Sequence, residues 1–188
     1  MTGASGAILA LHTIDALLSE GVPVIASATG TARMVWKQEM DESFGAALER
    51  WSDSGSFDYY GPQEMAAPIA SGTFPVQGMT IVPCSMATVS AVAYGSSDNL
   101  IRRAADVTIK ERRPLVVVPR ESPLSVIHLE NLTKLASLGA AIIPPEPAFY
   151  FRHQTVEDLA RFAAQRTLLA LKITAQLPEE FQYRGEVN

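Results

Sequence analysis

The stretch Leu115-Val116-Val117-Val118-Pro119-Arg120-Glu121 decides the fold. Its first four residues are apolar and three of them are β-branched, which predicts a strand buried on both faces. Similar apolar runs lie at residues 22–26, 79–82 and 140–143, and segments with helical spacing separate them. This alternation predicts a doubly wound α/β domain, in which helices cover both faces of a parallel sheet.

The spacing of apolar residues predicts the elements that connect the strands. The expected helices cover residues 7–18, 31–40, 42–51, 85–94, 99–112, 124–138 and 155–171, with a polar loop at residues 52–57. We expect a single domain over residues 1–175 and a C-terminal tail over residues 176–188.

A glycine-rich turn, Met1-Thr2-Gly3-Ala4-Ser5-Gly6, leads directly into the first helix. In a doubly wound fold such a turn follows a strand, and that strand is usually central. We therefore expect the first strand to be missing from this chain because the sequence starts late. A strand supplied in some other way is the less favoured alternative.

Composition excludes several classes of protein. Hydrophobic residues make up 47% of the 188 residues and charged residues 19%, which excludes intrinsic disorder. The net charge of −5 disfavours nucleic-acid binding. Cys84 is the single cysteine, which excludes an internal disulfide and, with no signal-peptide pattern, predicts a cytoplasmic protein. The spacing of His, Cys, Asp and Glu residues predicts no metal site.

No charged residue lies between Glu64 and Asp98. The run is long enough to cross a bilayer, but prolines and glycines interrupt it, so a continuous membrane helix is not expected. Such a stretch is more typical of a buried sheet, an interface between subunits, or the lining of a site for an uncharged ligand.

Candidate chemistry lies just after the predicted strands, where doubly wound folds bind ligands. The turn Gly3-Ala4-Ser5-Gly6 can present helix amides to an anion, or it can be a tight turn with a capping serine. Ser85 and Thr88 open the helix after residues 79–82, where they cap it or help to hold a phosphate. Arg120 can bind a phosphate at the next strand end, or it can pair with Glu121. Cys84 is more typical of a small buried residue than of a nucleophile.

Taken together, these motifs resemble the flavin prenyltransferases of the UbiX type, and the resemblance runs in order from Thr2 to about Leu171. The motifs that carry it are Thr2-Gly3-Ala4-Ser5-Gly6, Ser71-Gly72-Thr73, Pro83-Cys84-Ser85-Met86-Ala87-Thr88, residues 98–107, Lys110-Glu111-Arg112-Arg113-Pro114-Leu115, Pro119-Arg120-Glu121-Ser122-Pro123-Leu124, His128-Leu129-Glu130 and Pro147-Ala148-Phe149-Tyr150. The resemblance implies a three-layer αβα fold of the flavodoxin or Rossmann type and a homo-oligomer, a dodecamer with sites where subunits meet. It implies that reduced FMN receives a dimethylallyl group from dimethylallyl phosphate at N5 and C6 without a metal, and that a UbiD-type decarboxylase receives the prenylated flavin.

The same resemblance implies roles for individual residues. FMN is expected to contact Gly3, Ala4, Ser5, Thr29, Ser85, Met86, Ala87, Thr88 and Arg120. The phosphate of the prenyl donor is expected to contact Lys110, Arg120, Tyr150 and Arg166, in part across a subunit interface. The expected catalytic residues are Ser5, Glu39, Lys110, Glu121, Tyr150 and Arg166, with Ser5 and Glu39 helping to move the proton from flavin N5. Ala91 and Trp36 are expected to shelter an allylic cation.

Three other functions compete with this interpretation. A phosphopantothenoylcysteine decarboxylase shares the fold and FMN, but Ala87 stands where that type has an asparagine. Direct decarboxylation of a hydroxyaromatic acid is a second alternative. A flavin carrier is a third, although a carrier has no need for a second phosphate site.

Overall fold

The computed structural model describes residues 1–183 and 185. Its helices and strands alternate in the order α1 (Ala7–Ser19), β1 (Val24–Ala26), α2 (Gly30–Glu39), α3 (Phe44–Ser52), β2 (Phe57–Tyr59), β3 (Met79–Cys84), α4 (Met86–Ala93), α5 (Leu100–Lys110), β4 (Leu115–Pro119), α6 (Val126–Ser137), β5 (Ala141–Ile142) and α7 (Val156–Ala170). Short 3₁₀ turns lie at Pro68–Ala70, Phe149–Phe151 and Glu179–Phe181.

All strand pairs are parallel, as the sequence predicts. In the described part of the chain the strands form two sheets, one with the order β1-β2 and one with the order β3-β4-β5. In the larger sheet Met79 pairs with Leu115, and Val116 pairs with Ala141. The two sheets lie on either side of Met1 and Thr2, whose backbone bonds to residues of both.

The core has a layer on each side of the sheets, which confirms the three-layer α/β architecture. On one side α1 packs on α7, and Leu9, Val116 and Leu168 meet there. On the other side α4 packs on α5 and α6, around Val89 and Val117. Every residue of β4 is buried, as four consecutive apolar residues predict.

A third cluster is aromatic and lies beside β1 and β2. The ring of Trp36 meets the rings of Phe44 and Trp51 edge to face, at centroid distances of 5.4 and 5.8 Å. Trp36 is 1% exposed, and its indole N–H donates to the carbonyl of Glu42. The expectation that Trp36 lines the site is therefore wrong, because its ring is enclosed in this cluster.

Three details differ from the sequence predictions. The strand β2 was not predicted, since residues 52–57 were expected to form a polar loop that ends where this strand begins. The strand β3 continues through Pro83 to Cys84, with an irregular register between Ile81 and Cys84. The predicted tail packs on the domain as far as Phe181, which is buried against Phe162; residues 184 and 186–188 of that tail lie outside the described residues.

Candidate active site

Four chain segments meet at the carboxyl edge of the sheets. The helices α2 and α4 begin directly after β1 and β3, the glycine-rich turn leads into α1, and Arg120 follows β4. Each helix directs its N-terminal amides, and the positive end of its dipole, towards this edge. The segments that the sequence analysis singled out after the strands thus lie at this edge, and their role in the chemistry stays a prediction.

The turn at residues 3–6 is held by Glu39 and Arg120. The carboxylate Oε2 of Glu39 accepts hydrogen bonds from the backbone amides of Gly6 and Ala7, both at 2.8 Å. The Ser5 side chain is the strongest of the influences that lower the pKa of the same carboxylate. Arg120 donates from Nε to the carbonyl of Ser5 at 3.2 Å. The structure therefore brings together Ser5, Glu39 and Arg120, three of the predicted site residues.

The electrostatics of this cluster keep Glu39 ionised. Partial burial opposes the charged form, but hydrogen bonds from Ser5, Ala7 and Gly6 and the charge of Arg120 outweigh it, so the pKa of Glu39 is lowered from its usual value. An ionised carboxylate that accepts a hydrogen bond from a hydroxyl is arranged to draw a proton towards itself through that hydroxyl.

Thr2 is a positioning residue that the sequence analysis did not single out. Its side chain is 1% exposed, and its hydroxyl donates to the carbonyl of Pro83 at 3.1 Å and accepts from the amide of Ser85 at 2.8 Å. The backbone amide of Thr2 also donates to the carbonyl of Pro83. These bonds fasten the glycine-rich turn to the turn between β3 and α4. In the sequence, a threonine directly before a glycine-rich turn is the signal that could have indicated this positioning role.

Steric reasons explain why glycine occupies two positions of the first turn. A Cβ atom on Gly3 would lie 2.4 Å from Cγ2 of Thr31, so any side chain there collides with the start of α2. Gly6 has a φ of 111°, a backbone conformation that residues with a side chain rarely adopt. Gly3 therefore lets the turn lie against α2, and Gly6 allows the left-handed conformation with which the turn enters α1.

The N-termini of α2 and α4 carry the remaining predicted FMN contacts. Thr29 caps α2 by accepting from the amide of Ala32, and Ser85 caps α4 by accepting from the amide of Thr88. Space is open beside Gly30, and Ala87 is exposed at the start of α4. Two accessible helix N-termini and the Arg120 guanidinium suit a dianionic phosphate, so these residues fit the phosphate-bearing FMN. Met86 and Thr88 are buried beneath this surface.

Cys84 lies in the core rather than in the site. Burial raises the pKa of its thiol to about 12, against a weaker opposing effect from the terminal amino group. A thiol in this state is not a nucleophile at neutral pH.

The other predicted contacts of the prenyl donor are exposed side chains outside the Ser5–Glu39–Arg120 cluster. Lys110 ends α5, paired with Glu111, at the opposite edge of the sheet from the start of that helix. Arg166 is exposed on α7, and Tyr150 is 62% exposed against the ring of Tyr183. Glu121 is exposed beside Arg120 and accepts from the amide of Ser122. Within residues 1–183 and 185, no hydrogen bond joins Lys110, Tyr150 or Arg166 to the Ser5–Glu39–Arg120 cluster.

The described residues include neither a metal site nor a membrane-spanning helix. No group of three or more His, Cys, Asp or Glu residues there could hold a metal ion. None of the helices described is both long and apolar enough to cross a membrane.

Comparison with known proteins defines the class of this site. The sequence profile of the Flavoprotein family matches residues 1–168, and the chain therefore belongs to the Flavoprotein family. The chain is 50% identical over 174 residues to flavin prenyltransferase LpdB of Lactiplantibacillus plantarum, a match that covers 92% of this chain and 90% of that protein. It is 45% identical over 184 residues to flavin prenyltransferase UbiX of Archaeoglobus fulgidus, covering 98% and 95%. Within the Flavoprotein family it belongs with the flavin prenyltransferases.

Solved structures agree with this assignment. A crystal structure of AnUbiX (PadA1) in complex with FMN and dimethylallyl pyrophosphate has a TM-score of 0.90 and 37% identity, and covers 100% of this chain and 96% of that one. A dodecameric FMN-dependent UbiX-like decarboxylase from Escherichia coli O157:H7 has a TM-score of 0.89 and 35% identity, covering 98% and 100%. A phosphopantothenoylcysteine decarboxylase mutant matches with a TM-score of 0.57 and 20% identity, which shows a shared fold alone.

Proposed function

We propose that this chain transfers a dimethylallyl group from dimethylallyl phosphate to N5 and C6 of reduced FMN. The observation that carries the proposal is the Ser5–Glu39–Arg120 cluster at the edge where α1, α2 and α4 begin, in a chain of this family. In the reaction the C–O bond to the phosphate breaks and the phosphate leaves with the electron pair. A bond forms at flavin N5, which loses its proton. The double bond of the transferred group then takes up a proton, the resulting carbon cation bonds to C6, and C6 loses its hydrogen as a proton, which closes a fourth ring.

The first task of the chain is to bind FMN. The N-termini of α2 and α4 with Thr29, Ser85 and Arg120 supply hydrogen-bond donors and positive charge for the flavin phosphate. Gly3 and Ala4 let the first turn pack closely on the domain, and the exposed Ser5 remains accessible beside it for the flat ring.

The second task is to remove the N5 proton. The Ser5 side chain is exposed and lowers the pKa of the ionised Glu39 carboxylate. We assign these two residues to a relay in which Ser5 receives the N5 proton and passes its own to Glu39. The bonds from Gly6 and Ala7 hold the carboxylate in place, so the relay needs no rearrangement.

The third task is to stabilise the leaving phosphate, and it requires more than one copy of the chain. Arg120 is already at the site, whereas Lys110, Tyr150 and Arg166 are exposed and have no hydrogen bond to the Ser5–Glu39–Arg120 cluster within the described residues. Side chains of neighbouring subunits can complete the phosphate site where subunits meet, with Glu121 beside it. The dodecamer of the UbiX-like decarboxylase supports a homo-oligomer of this kind, for which we propose a dodecamer.

The product and its location follow from the proposed reaction. A prenylated flavin is a cofactor rather than an end product, and we propose that a UbiD-type decarboxylase receives it. We place the enzyme in the cytoplasm, in keeping with its free and buried Cys84.

The decisive experiment combines purified protein, anaerobically reduced FMN and dimethylallyl phosphate, with dimethylallyl pyrophosphate in a parallel arm. Mass spectrometry of the released flavin should show the gain of one prenyl unit without added metal. Glu39→Gln should bind FMN and lose turnover, while the control Glu49→Gln on α3 should keep it. Full turnover by Glu39→Gln would rule out the proposed proton relay from Ser5 to Glu39. Bound FMN of unchanged mass would favour a flavin carrier, and release of CO₂ from a hydroxyaromatic acid by this chain alone would favour a decarboxylase.

A mixing experiment tests the shared site. Glu39→Gln and Arg166→Ala should each be inactive alone. If the two residues act in one site from different subunits, co-assembled variants should regain up to about one quarter of wild-type turnover. No recovery in co-assembled oligomers would show that both residues act from the same subunit.

A further inference from the structure

The segment at residues 70–74, here called the 70–74 loop, lies along α5. Near one end of the loop, Arg103 of α5 donates from Nε to the carbonyl of Ala70 at 3.1 Å. Near the other end, the guanidinium of Arg113, just past α5, donates to two further carbonyls of the loop. All three bonds are partly buried, so water competes for them less than for exposed bonds. The loop therefore has a fixed course past the C-terminal end of α5.

Arg113 holds the loop by a two-point contact. Its Nη1 and Nη2 atoms donate to the carbonyls of Phe74 and Gly72, at 3.1 and 2.7 Å. A guanidinium is planar and its donors have fixed directions, so the two bonds set the orientation of the loop as well as its position. The chain reaches this point through Arg112, whose φ of 55° turns it at the end of α5. A lysine could not reproduce the contact, because an ammonium is a single point charge.

Gly72, in the middle of the loop, lies beside the ammonium of Lys110. A Cβ atom on Gly72 would collide with Nζ of Lys110 and Oε1 of Glu111, which form an ion pair. The φ of Gly72 lies outside the left-handed range, so the backbone conformation does not require glycine. The reason for glycine is therefore space, and the Lys110 ammonium occupies the place that a side chain would take.

The ion pair alone does not fix the position of Lys110. The side chains of Lys110 and Glu111 are 47% and 36% exposed, and exposed pairs contribute little stabilisation. The hydrogen bond and the charge of Lys110, with a smaller effect from Arg113, lower the pKa of Glu111, so its carboxylate stays charged. The space beside Gly72 is the feature that admits this arrangement of the pair.

We propose that Gly72 and Arg113 are positioning residues for Lys110. Gly72 leaves the space that the ammonium occupies, and Arg113 keeps the loop at the distance that this space requires. The inference rests on the proposed function, in which Lys110 contacts the phosphate of the prenyl donor. It gives a role to the motif Ser71-Gly72-Thr73, which the proposed function does not use. Because both residues act through Lys110, they should affect binding of the donor and leave binding of FMN unchanged.

The first test compares Gly72→Ala with Gly45→Ala on α3. A Cβ on Gly45 would meet nothing closer than 4.0 Å, so this control adds a methyl group without a collision. In Gly72→Ala the displaced atoms are the ends of flexible side chains, so Tm should stay within about 2 °C of the wild type. The KM for dimethylallyl phosphate should rise about 10-fold or more, since a hydrogen bond to a charged group is weakened. The Kd of FMN should not change, and Gly45→Ala should alter neither constant.

The second test compares Arg113→Lys with Arg112→Lys. Arg113→Lys keeps the positive charge but loses the two-point contact with the loop, so the KM for dimethylallyl phosphate should rise about 3-fold or more. Arg112 is exposed, and the same exchange at this position should leave the KM at the wild-type value.

A double variant decides whether Gly72 acts through Lys110. The Kd of dimethylallyl phosphate is measured by calorimetry with oxidised FMN bound, which does not react with the donor. Gly72→Ala should weaken binding in the wild-type background. In the Lys110→Met background, the same change should alter the Kd by less than about 2-fold, because the ammonium is no longer there to be displaced.

Three results would overturn the inference. One is a wild-type KM for dimethylallyl phosphate in Gly72→Ala. Another is an effect of Gly72→Ala that is equally large in the Lys110→Met background, which would give the loop a role independent of Lys110. Both would leave the proposed function intact, provided that the wild type transfers the prenyl group. Absence of transfer by the wild type would overturn the proposed function and this inference together.

Discussion

Replacing Thr2 by valine tests whether one buried hydroxyl fastens the two site turns together. The change keeps the shape of the side chain but removes the bonds to the amide of Ser85 and the carbonyl of Pro83, at 2.8 and 3.1 Å. The carbonyl of Pro83 keeps its bond from the Thr2 amide, so the main loss is an unpaired Ser85 amide. We expect a loss of about 2 kcal/mol in the free energy of unfolding, which in a chain of this size lowers Tm by roughly 4–8 °C.

A matched control separates this effect from the general cost of removing a buried hydroxyl. Thr167 is 0% exposed on α7, and its hydroxyl donates to the carbonyl of Ala163, one helical turn earlier. The helix already satisfies that carbonyl, so Thr167→Val should change stability by less than about 0.5 kcal/mol. Urea unfolding followed by circular dichroism gives both values, and titration with FMN gives the affinity. The reasoning would be refuted if Thr2→Val were no more destabilising than Thr167→Val, or if it bound FMN with unchanged affinity.

Three further predictions follow from the site. Gly3→Ala should lower the free energy of unfolding by about 1–3 kcal/mol, because its Cβ would lie 2.4 Å from Thr31 Cγ2. The control Gly45→Ala should be tolerated, since its Cβ would meet nothing closer than 4.0 Å. Thermal unfolding compares the two variants. Folding lowers the pKa of Glu39, so the ionised side chain stabilises the protein fully above its pKa in the unfolded state. This stabilisation is lost as the pH falls through its pKa in the folded state. Glu39→Gln should therefore flatten the decline of Tm between neutral pH and about pH 3, and an unchanged decline would contradict this. Cys84, with a pKa of about 12, should resist iodoacetamide at pH 8 in the native protein and react once urea unfolds it, as mass spectrometry can follow.

Sequence patterns were sufficient where local chemistry decides the structure. Three consecutive valines made β4 predictable because a strand covered on both faces needs nothing else. Capping residues defined the helix starts, as at Thr155, which accepts from the amide of Asp158 and begins α7. By contrast, β2 carries the exposed Asp58 between two aromatic residues and pairs with β1 alone, so its short pattern resembles a loop.

The parts that could not be predicted depend on contacts between distant residues. Trp36 was expected at the site from the resemblance, but its ring packs against the rings of Phe44 and Trp51 in the core. Sequence spacing could not show that Glu39 contacts the start of α1, because Gly6 lies 33 residues earlier in the chain. The resemblance gave Glu39 as a site residue but did not give its contacts. The shared phosphate site was expected from the resemblance, and within the described residues of one copy no hydrogen bond joins Lys110 or Arg166 to the Ser5–Glu39–Arg120 cluster.

The bond between Glu39 and the start of α1 also has a consequence for how the domain opens. Gly6 has no side chain to cap its own helix, so the capping group of α1 comes from the last residue of α2. The beginning of one helix is thus completed by the end of another, and neither end can fray without releasing its partner. Amide exchange at Gly6 and Ala7 becomes a local report on whether α2 is docked, and a ligand that draws Glu39 away would loosen the first turn of α1 at the same moment.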